Sequence, residues 1–305
     1  MPYRIAFLTR SSLPDVYSTF VEAFSDYALD MSYMTEKAFE NRAIKNGIDF
    51  ECSVGAYEDD RMIGYTLIGL DVWSGSFSAF DIGTGIIGPR RGKGIARKMF
   101  EFAVPNLKSR GVERFVLEVL QDNEPAIAAY RRAGFRVTRE FGCYELDVPA
   151  ARVATTADYS IAIGPIGRDG LPRFTGWLDW QPSWENSIAS IQRVPDYLML
   201  LAAVQNSGPI GLLAYYPTLR WIMSLAVERS HRRQGVAMAL MSHLIEAIHD
   251  EVPSVKMVNV LSTDTAMHSF LQRVGFKVYA TQFEMQLRLS SGRPLARPYP
   301  NRAVP

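Results

Sequence analysis

The hydrophobic positions of this chain change spacing from one segment to the next, and each spacing predicts an element. Apolar residues at helical intervals across residues 13–29 predict an early helix. Its apolar face would consist of Val16, Phe20, Ala23, Phe24 and Tyr27. Residues 51–70 predict a β-hairpin that turns at Glu58–Arg61, and residues 197–216 predict a second hairpin that turns at Asn206–Pro209.

One pattern occurs twice along the chain. Residues 86–96 read IIGPRRGKGIA, and residues 227–237 read VERSHRRQGVA. In each copy an arginine is followed by a glycine and an alanine at the same spacing, and then by apolar residues at helical intervals. The separation of Arg91 from Arg232 is the same as that of two later Gly-Phe pairs, which begin at Gly134 and Gly275. Equal separation of two landmarks predicts an internal duplication.

Each half of the chain reads as the same unit of helices and strands. After the helix and the hairpin come a central strand, a glycine-bearing turn into a helix, a strand (RFVLEVL or VKMVNVL), a short helix and a last strand. The predicted fold class is α+β, a mixed α/β sheet flanked by helices, present twice in tandem. We expect a first lobe at residues 1–148 and a second lobe at 149–289, with the boundary near DVPAARVATTAD. The tail at 290–305 is expected to be loop or disordered.

Composition and charge restrict the classes of function. With 305 residues, 48% hydrophobic and 21% charged, the chain is typical of a soluble globular protein with two domains. The formal net charge of +1 argues against nucleic-acid and membrane partners, so any anion site has to be local. Because we find no signal peptide and no apolar run of about 18 residues, we expect a cytoplasmic protein. Cys52 and Cys143 lie in apolar contexts and the four histidines form no cluster, which predicts no metal site.

The segment RRGKGIA, residues 90–96, has the chemistry of an anion site. The first turn of a helix has unpaired N–H groups and the positive end of the helix dipole, and glycines there let a phosphate approach the backbone. The amides that could converge on one diphosphate are those of Gly92, Lys93, Gly94, Ile95 and Ala96. Arg91 and Lys93 would add positive charge.

Other interpretations of this segment fit less well. A P-loop requires four residues between its first glycine and Gly-Lys-Ser/Thr, and here the spacing is shorter and Gly94 replaces the hydroxyl. GTGIIG at residues 83–88 matches the dinucleotide pattern G-x-G-x-x-G, but the second copy does not keep those glycines. The structural alternative is two glycines that cap a core helix beside surface arginines.

The two motifs together resemble a known family. The Arg-x-x-Gly-x-Gly/Ala turn after a central strand, followed by QDNEPAIAAYRRAGF at residues 121–135, resembles the GNAT superfamily of acetyl-CoA-dependent N-acyltransferases. The resemblance covers most of residues 1–148 and, more weakly, about 158–289. It therefore implies a tandem GNAT protein that uses acetyl-CoA as its cofactor.

The resemblance implies roles for particular residues of the first lobe. An amine would attack the thioester of acetyl-CoA directly, with the diphosphate on Arg91–Ala96 and the thioester carbonyl polarised by a backbone N–H near Ile86 and Ile87. Tyr130 would protonate the departing thiolate, and the side chain of Asn123 would bond the cofactor or the adjacent backbone.

The general base is less clearly marked by the sequence. Asp81 on the central strand is the first candidate, and Glu118 on the next strand is the second. Each catalytic candidate also has a structural alternative. Tyr130 could fill the core against Phe135, and Asp81 could be a turn or edge residue bound by backbone amides.

The second lobe keeps the turn but changes the residues around it. Position 271 is Leu where the first copy has Tyr130, and position 264 is Asp where the first copy has Asn123. A second candidate CoA site comprises Val227, Arg232, Arg233, Gln234, Gly235, Val236 and Ala237. We therefore expect the first lobe to be catalytic. The alternatives are a catalytic second lobe with a regulatory first lobe, and a CoA-binding sensor without turnover.

Aromatic residues mark where an acceptor could bind. Trp177, Trp180 and Trp184 either pack in the core or line a substrate pocket between the lobes. Phe24, Tyr27 and Tyr33 occupy the corresponding region of the first lobe. The expected partner is a small-molecule or peptide amine, and the expected assembly is a monomer or homodimer.

Overall fold

The computed structural model describes residues 3–27, 29–153, 161–205 and 208–289. The helices are α1 Leu13–Ala23, α2 Glu36–Lys45, α3 Ile95–Ser109, α4 Glu124–Arg132, α5 Ile188–Gln192, α6 Val236–Ile248 and α7 Thr265–Val274. The strands are β1 Arg4–Phe7, β2 Val54–Glu58, β3 Arg61–Trp73, β4 Ser76–Ile86, β5 Arg114–Leu120, β6 Arg136–Asp147, β7 Ala162–Pro165, β8 Met199–Gln205, β9 Gly208–Tyr216, β10 Trp221–Val227, β11 Ser254–Leu261 and β12 Lys277–Arg288.

Most of the predicted elements are present. The hairpin of β2 and β3 turns between Glu58 and Arg61, as predicted. The helices α3 and α6 follow the two glycine-bearing turns, and β5 has the predicted limits. Residues 206–207 of the turn predicted at Asn206–Pro209, residues 154–158 of the predicted lobe boundary and the tail at 290–305 lie outside the described residues.

The two lobes share one twelve-stranded sheet. Its order is β1-β2-β3-β4-β5-β12-β6-β11-β10-β9-β8-β7. The last strand of the second lobe, β12, lies between β5 and β6 and pairs with both. In its pairing with β5, Glu284 of β12 lies opposite Glu118 of β5. The last strand of the first lobe, β6, pairs in turn with β11. Each lobe therefore completes the sheet of the other, which the local sequence pattern did not predict.

Each lobe contains a gap between two parallel strands. In the first lobe β4 and β5 pair only from Ser78 to Phe80, opposite Arg114 to Val116, and then diverge. In the second lobe β10 and β11 pair only at Trp221 and Lys256. Beyond these pairs the strand edges are open towards their carboxyl ends. The two glycine-bearing turns follow directly at those ends.

The second lobe begins differently from the first. Where the first lobe has α1 and α2, the second lobe has a 3₁₀ segment at Arg168–Trp177, a 3₁₀ turn at Trp184–Asn186 and the short α5. Trp184 is 1% exposed and stacks on Phe80 of the first lobe, with ring centroids 5.3 Å apart. Trp184 therefore packs in the core between the lobes.

A buried ion cluster joins the lobes. The Lys45 ammonium on α2 is fully buried and donates to a Glu185 carboxylate oxygen at 2.9 Å and to its carbonyl oxygen at 2.7 Å. Arg42 binds the other carboxylate oxygen of Glu185. Although burial opposes charge on Glu185, Arg42 and Lys45 hold the pKa of that carboxyl below its ordinary value. Such a cluster fixes the second lobe against α2, because breaking it would leave buried charges without partners.

Candidate functional site

The first glycine-bearing turn presents its backbone to open space. Gly92 and Gly94 have φ of 74° and 75°, the left-handed region that favours glycine, and a Cβ on either would meet nothing within 4 Å. The first α3 hydrogen bond runs from the Lys98 amide to the Gly94 carbonyl at 3.1 Å. Within the described residues, the amides of 92–97 make no hydrogen bond. This cradle, which includes Lys93, Ile95 and Ala96, can therefore accept an anion.

Arg91 has a different task from the one predicted. Its guanidinium donates to both carboxylate oxygens of Asp26 at 2.7 Å, to the carbonyl of Ala23 and to the carbonyl of Ile86 at 3.2 Å. The bond from Arg91 lowers the pKa of Asp26. Because Arg91 already has these partners, it anchors the turn to α1 and β4, and Lys93 is left as the exposed cation of the cradle.

The second turn is anchored in the same way. Arg232 donates to the carbonyl of Val227 at 3.0 Å, to Asp179 at 2.7 Å and to the carbonyl of Trp177 at 2.8 Å. Its left-handed positions are Gly235, with φ of 87°, and Arg233, with φ of 63°. An arginine there costs about 1–2 kcal/mol relative to a glycine in the same conformation. The turn has thus kept its shape although the first of its two glycines has been replaced.

One backbone N–H points into the first gap. The Ile87 amide donates to the Ile63 carbonyl on β3 at 3.1 Å, so it is not available to a ligand, contrary to the sequence-based prediction. Hydrogen-bonded and non-bonded pairs alternate along an antiparallel ladder, so the N–H of Ile86, opposite Gly64, points away from β3. Ile86 is therefore the donor that a carbonyl in the gap would meet.

The second gap repeats this arrangement. The Glu228 amide donates to the Ile210 carbonyl at 2.9 Å, and Val227 therefore points its N–H away from β9. Val227 stands where Ile86 stands in the first lobe. Both gaps consequently keep a backbone donor at the end of the central strand.

Asp81 lies at the floor of the first gap. It is the first residue of β4 beyond the last pair with β5, and it is 7% exposed. Thr84 donates its hydroxyl to Oδ2 at 2.9 Å, whereas the buried Oδ1 has no partner among the described residues. Burial raises the pKa of Asp81 to about 7. A carboxyl of that pKa can exchange a proton near neutral pH, which an edge residue bound by backbone amides would not do.

Tyr130 combines a packed ring with a hydroxyl close to Asp81. Its ring contacts Phe100 and Phe135 edge-on, each with a centroid separation of 5.8 Å, so the core packing considered from the sequence is present. Burial raises the pKa of Tyr130 well above its ordinary value, and the charge on Asp81 and the hydroxyls of Tyr27 and Tyr65 raise it further. The hydroxyl is therefore neutral near physiological pH and can donate a proton.

The second lobe has neither of these groups. Leu271 replaces Tyr130 and Ile222 replaces Asp81, each at the separation that relates Arg232 to Arg91, and both replacements are fully buried. A register shift interrupts β4 beside Asp81 and β10 beside Ile222, so the backbone geometry is repeated. The second gap thus keeps the shape of the first without its proton-handling side chains.

Asn123 is a helix cap. Its side-chain oxygen accepts from the Ala126 amide at 3.2 Å, and that of Asp264 accepts from the Met267 amide at 3.0 Å. Of the two roles predicted for Asn123, the bond to the adjacent backbone is the one present. Because Asp caps a helix as well as Asn does, Asp264 does not distinguish the two lobes.

We expect Asn123→Ala to lower the free energy of unfolding by about 1 kcal/mol, because the first turn of α4 loses its cap. Asn123→Asp should leave stability nearly unchanged, because the copy already uses that residue. Urea unfolding of the two variants checks this. Equal destabilisation by both variants would contradict the capping role.

A cavity of about 410 Å³ lies in the second gap. Its wall includes Trp177, Trp180, Arg233, Met238, Phe270 and Asn186. Asn186 donates to the Val258 carbonyl at 2.8 Å, but its buried Oδ1 has no partner among the described residues. Trp180 donates to Asp264 across the cavity at 2.9 Å. Trp177 and Trp180 therefore line a pocket, but its wall belongs to the second lobe and does not lie between the lobes as the sequence interpretation had it.

Glu118 lies at the lobe junction. Asn259 of the second lobe donates to it at 2.6 Å, and burial, with the nearby carboxylates of Glu185 and Glu284, raises its pKa to about 8. Its second oxygen is buried without a partner among the described residues. Asp81 is therefore the better candidate for the base, because it lies in the first gap, whereas Glu118 is bound at the lobe junction.

Two contributors near the gap gave no sequence signal. Arg42 donates to the Ile82 carbonyl at 2.8 Å, and Tyr65 is buried beside Asp81. Arg42 comes from α2, which is distant in sequence from β4, and Tyr65 comes from β3, the strand that pairs with β4. The replacement of Asp81 by Ile222 in the second copy, by contrast, is visible in the sequence. The two positions have the same separation as Arg91 and Arg232.

The described ranges contain neither a candidate metal site nor a candidate membrane-spanning helix. No group of three or more His, Cys, Asp or Glu residues there is placed to hold a metal ion. None of the helices in the same ranges combines the length and apolarity that crossing a membrane requires.

Sequence comparison gives two kinds of match. The profile described as the Acetyltransferase (GNAT) family matches residues 13–135 and 170–276. N-alpha-acetyltransferase 30 of Schizosaccharomyces pombe is 36% identical over 86 residues, which is 28% of this chain and 57% of that protein. Streptothricin acetyltransferase of Streptomyces lavendulae is 36% identical over 83 residues, 27% of this chain and 42% of that protein. The chain thus spans about half the length of these curated relatives.

Solved structures share the whole fold. A GCN5-related N-acetyltransferase from Sphaerobacter thermophilus has a TM-score of 0.71 at 14% identity, over 96% of this chain and 98% of that one. A tandem GNAT protein from the clavulanic acid biosynthesis pathway has a TM-score of 0.73 at 13% identity, over 96% and 100%. At this identity the likeness concerns the fold alone. Because the family profile matches most of the sequence in two separate stretches, the chain belongs to the acetyltransferase (GNAT) family and carries its fold twice.

Proposed function

We propose that this chain is an acetyl-CoA-dependent N-acetyltransferase whose first lobe, residues 1–148, transfers acetyl to a primary amine. Membership of the family supports the reaction. The observation that carries the choice of lobe is that the first lobe has Asp81 in its gap and Tyr130 on α4, while the second lobe has Ile222 and Leu271 at the corresponding positions.

The residues of the first lobe fit the coenzyme. Acetyl-CoA, when bound, supplies an acetyl group as a thioester. The free amides of 92–97 and Lys93 would hold its diphosphate, and the Ile86 N–H would donate to the thioester carbonyl as negative charge develops on that oxygen.

The side chains of the gap would move two protons. Asp81 would accept a proton from the acceptor ammonium, directly or through water, so that a neutral amine attacks. Tyr130 would donate its phenolic proton to the thiolate sulfur as the carbon–sulfur bond breaks. The second proton of the amine nitrogen would return to the Tyr130 phenolate, directly or through water, and Asp81 would release its proton to solvent. The products are then the N-acetyl amine and the free thiol of CoA.

Thiol release from acetyl-CoA with a panel of primary amines tests this proposal. We expect turnover with at least one amine, and N-acetylation confirmed by mass spectrometry. A catalytic second lobe would keep its turnover in Tyr130→Phe, and a CoA-binding sensor would release no thiol with any amine. Either result would replace the proposal by one of the two alternatives.

We propose further that the second cleft binds CoA without turning it over. Three observations support this second function: the cavity of about 410 Å³, the strained Arg233 at its rim and the unpartnered Oδ1 of Asn186 in its wall. An unpaired buried oxygen and a left-handed arginine each cost free energy, and a bound ligand offers a reason for keeping both.

We expect Arg233→Gly to weaken CoA binding at the second cleft about tenfold, because a cation that faces the phosphates is lost. Stability should stay level or rise by up to about 1 kcal/mol, because the backbone strain is relieved. Calorimetry should count two CoA sites per wild-type chain. Ser74→Gly, which relieves the same conformation in the β3–β4 turn, is the control and should leave both affinities unchanged.

The acceptor, assembly and compartment are also proposals. The names of the two relatives include an N-alpha-acetyltransferase and a streptothricin acetyltransferase. We accordingly propose a peptide or small-molecule amine as the acceptor. We propose that the protein is a monomer or homodimer in the cytoplasm, where the buried thiols of Cys52 and Cys143 stay reduced.

A further inference from the structure

Residues of both lobes form a basic and aromatic cluster. Lys256 on β11 places its ammonium 4.5 Å from the ring centroid of Tyr33 and 5.1 Å from that of Tyr279. The guanidinium of Arg220 lies 5.7 Å from the same Tyr33 ring. Tyr33 belongs to the first lobe, and the other three residues belong to the second. The cluster therefore exists only because the two lobes are packed together.

Neither cation of this cluster forms an ion pair with a described residue, although Glu145 on β6 lies directly opposite Lys256. Within the described residues, no carboxylate oxygen lies within 4 Å of Lys256 or Arg220. Asp30 and Glu145 are the nearest acidic influences on Lys256, and both are bound elsewhere. Asp30 accepts from the amide and hydroxyl of Ser32 at 2.8 and 3.0 Å. Glu145 accepts from Ser254 at 2.8 Å.

The groups on the other side of Tyr33 do not neutralise these cations either. Arg42 and Glu185 face Tyr33 from α2 and from the second lobe, but they bind each other. Burial lowers the pKa of the Lys256 ammonium, as expected for a cation that is partly removed from water without a paired charge. An anion at this place would compensate that loss of hydration.

The backbone of Arg220 is also unusual. Its φ of 55° lies in the left-handed region, and its carbonyl accepts from the Lys256 amide at 2.8 Å. A side chain there costs about 1–2 kcal/mol relative to a glycine. Residues held in such conformations concentrate at ligand sites, where the side chain is needed. The bond from the Lys256 amide holds the Arg220 backbone against β11, so the two cations stay beside each other.

A line of tyrosines connects this cluster with the first gap. Burial raises the pKa of Tyr27, and the neighbouring Tyr33 raises it further. In the same way Tyr27 raises the pKa of Tyr130, beyond the effect of burial. The packing agrees with this connection: the Tyr27 ring meets Phe24 edge-on with centroids 4.9 Å apart, Phe24 adjoins Gly85 on β4, and Tyr33 packs against the same buried cluster as Phe24. A molecule whose amine reaches Asp81 could extend along these rings towards Lys256.

We propose that Lys256 and Arg220 form an anion-binding subsite, and that the acceptor is a primary amine that also carries a carboxylate or phosphate group. The proposal rests on the catalytic role proposed for the first lobe. The second lobe would then contribute to catalysis by selecting the substrate of the first lobe. Tyr33 and Tyr279 would hold the lysine side chain in place and line the path of the acceptor.

Matched pairs of amines test the subsite. The probes are 2-aminoethyl phosphate against ethanolamine and 4-aminobutyrate against 4-aminobutanamide, with kcat/KM measured for each. We expect at least one anionic probe to be preferred about tenfold or more over its neutral partner, and Lys256→Met to remove that preference. Ethanolamine and 4-aminobutanamide, which have no anionic group, should keep their kcat/KM within about threefold in the variant. Lys108→Met, which removes an exposed lysine near the end of α3, is the control and should keep the preference.

Calorimetry separates failure of the subsite from failure of the proposed reaction. We would titrate 2-aminoethyl phosphate and 4-aminobutyrate into the wild-type protein saturated with CoA and measure binding. The same titrations would be made with Lys256→Met and with Arg220→Gln. Absence of thiol release with every amine, together with binding of an anionic probe that depends on Lys256, would reject the reaction and keep the subsite. Turnover without any preference for the anionic probes, or a preference unchanged in Lys256→Met, would reject the subsite and keep the reaction.

Discussion

Replacement of Tyr130 by Phe should lower kcat for acetyl transfer about 100-fold or more while leaving the fold intact. The variant removes one hydroxyl and keeps the ring that contacts Phe100 and Phe135. General acid catalysis typically contributes 10²–10⁴-fold, about 3–5 kcal/mol of the barrier. The thiolate would then leave without a proton from Tyr130. The second lobe has the buried Leu271 at the matching position and so offers no donor there either.

The measurement is steady-state thiol release with the best amine of the panel. KM for acetyl-CoA should change little, because the amides at the turn hold the coenzyme and Tyr130 acts on its sulfur only when the bond breaks. Tyr215→Phe is the matched control, because it removes a buried hydroxyl of the second lobe that has no partner among the described residues. Unchanged kcat in Tyr130→Phe would show that the acid lies elsewhere.

Replacement of Asp81 by Asn should lower kcat/KM about 100-fold at pH 8 and change the pH profile. Burial raises the pKa of Asp81 to about 7, so the carboxyl of the wild type is protonated and inactive as a base below that pH. Activity of the wild type should therefore rise with pH through about 7. The variant should lose this rise, because Asn cannot accept the proton.

The same substitution should affect stability in the opposite direction. Between the pKa values of the unfolded and the folded state, about 4 and about 7, the folded carboxyl holds a proton that the unfolded one releases. Stability of the wild type therefore falls as the pH rises through this range, by about 1.4 kcal/mol for each unit of pKa difference at most. Asp81→Asn should be the more stable protein at pH 8.

Unfolding in urea at pH 5 and pH 8 measures this difference. Asp59→Asn, in the exposed turn between β2 and β3, is the matched control and should change neither activity nor the pH dependence of stability. A variant that loses activity and stability together at pH 8 would indicate that Asp81 has a structural role in its charged form.

Local pattern was sufficient for the elements and for the two turns. Hydrophobic spacing predicted α1, the β2–β3 hairpin and β5, because a helix or strand face is written in residues that are close together in sequence. The glycines at 92 and 94 marked the left-handed positions, because few other residues adopt that conformation without strain. The equal separation of the two arginines and of the two Gly-Phe pairs predicted the duplication.

Three features of the candidate site depended on contacts between distant segments. Arg91 is directed to Asp26, so the cation expected at the diphosphate became an anchor of the turn. The Ile87 amide is taken by β3, which leaves Ile86 as the donor. The pKa of Asp81 follows from its burial, which no stretch of sequence around it specifies.

The sequence by itself determined that one α+β unit is present twice and that each copy has a glycine-bearing turn. It also determined that only the first copy has the tyrosine. Each of these features depends on residue type and short spacing. The tertiary structure alone decided how the copies are joined, with β12 inserted between β5 and β6, because strand order is set by long-range packing. It also decided that Lys256 of one lobe lies over Tyr33 of the other. Two residues so distant in sequence acquire a common role only when folding brings them within a few ångströms of each other.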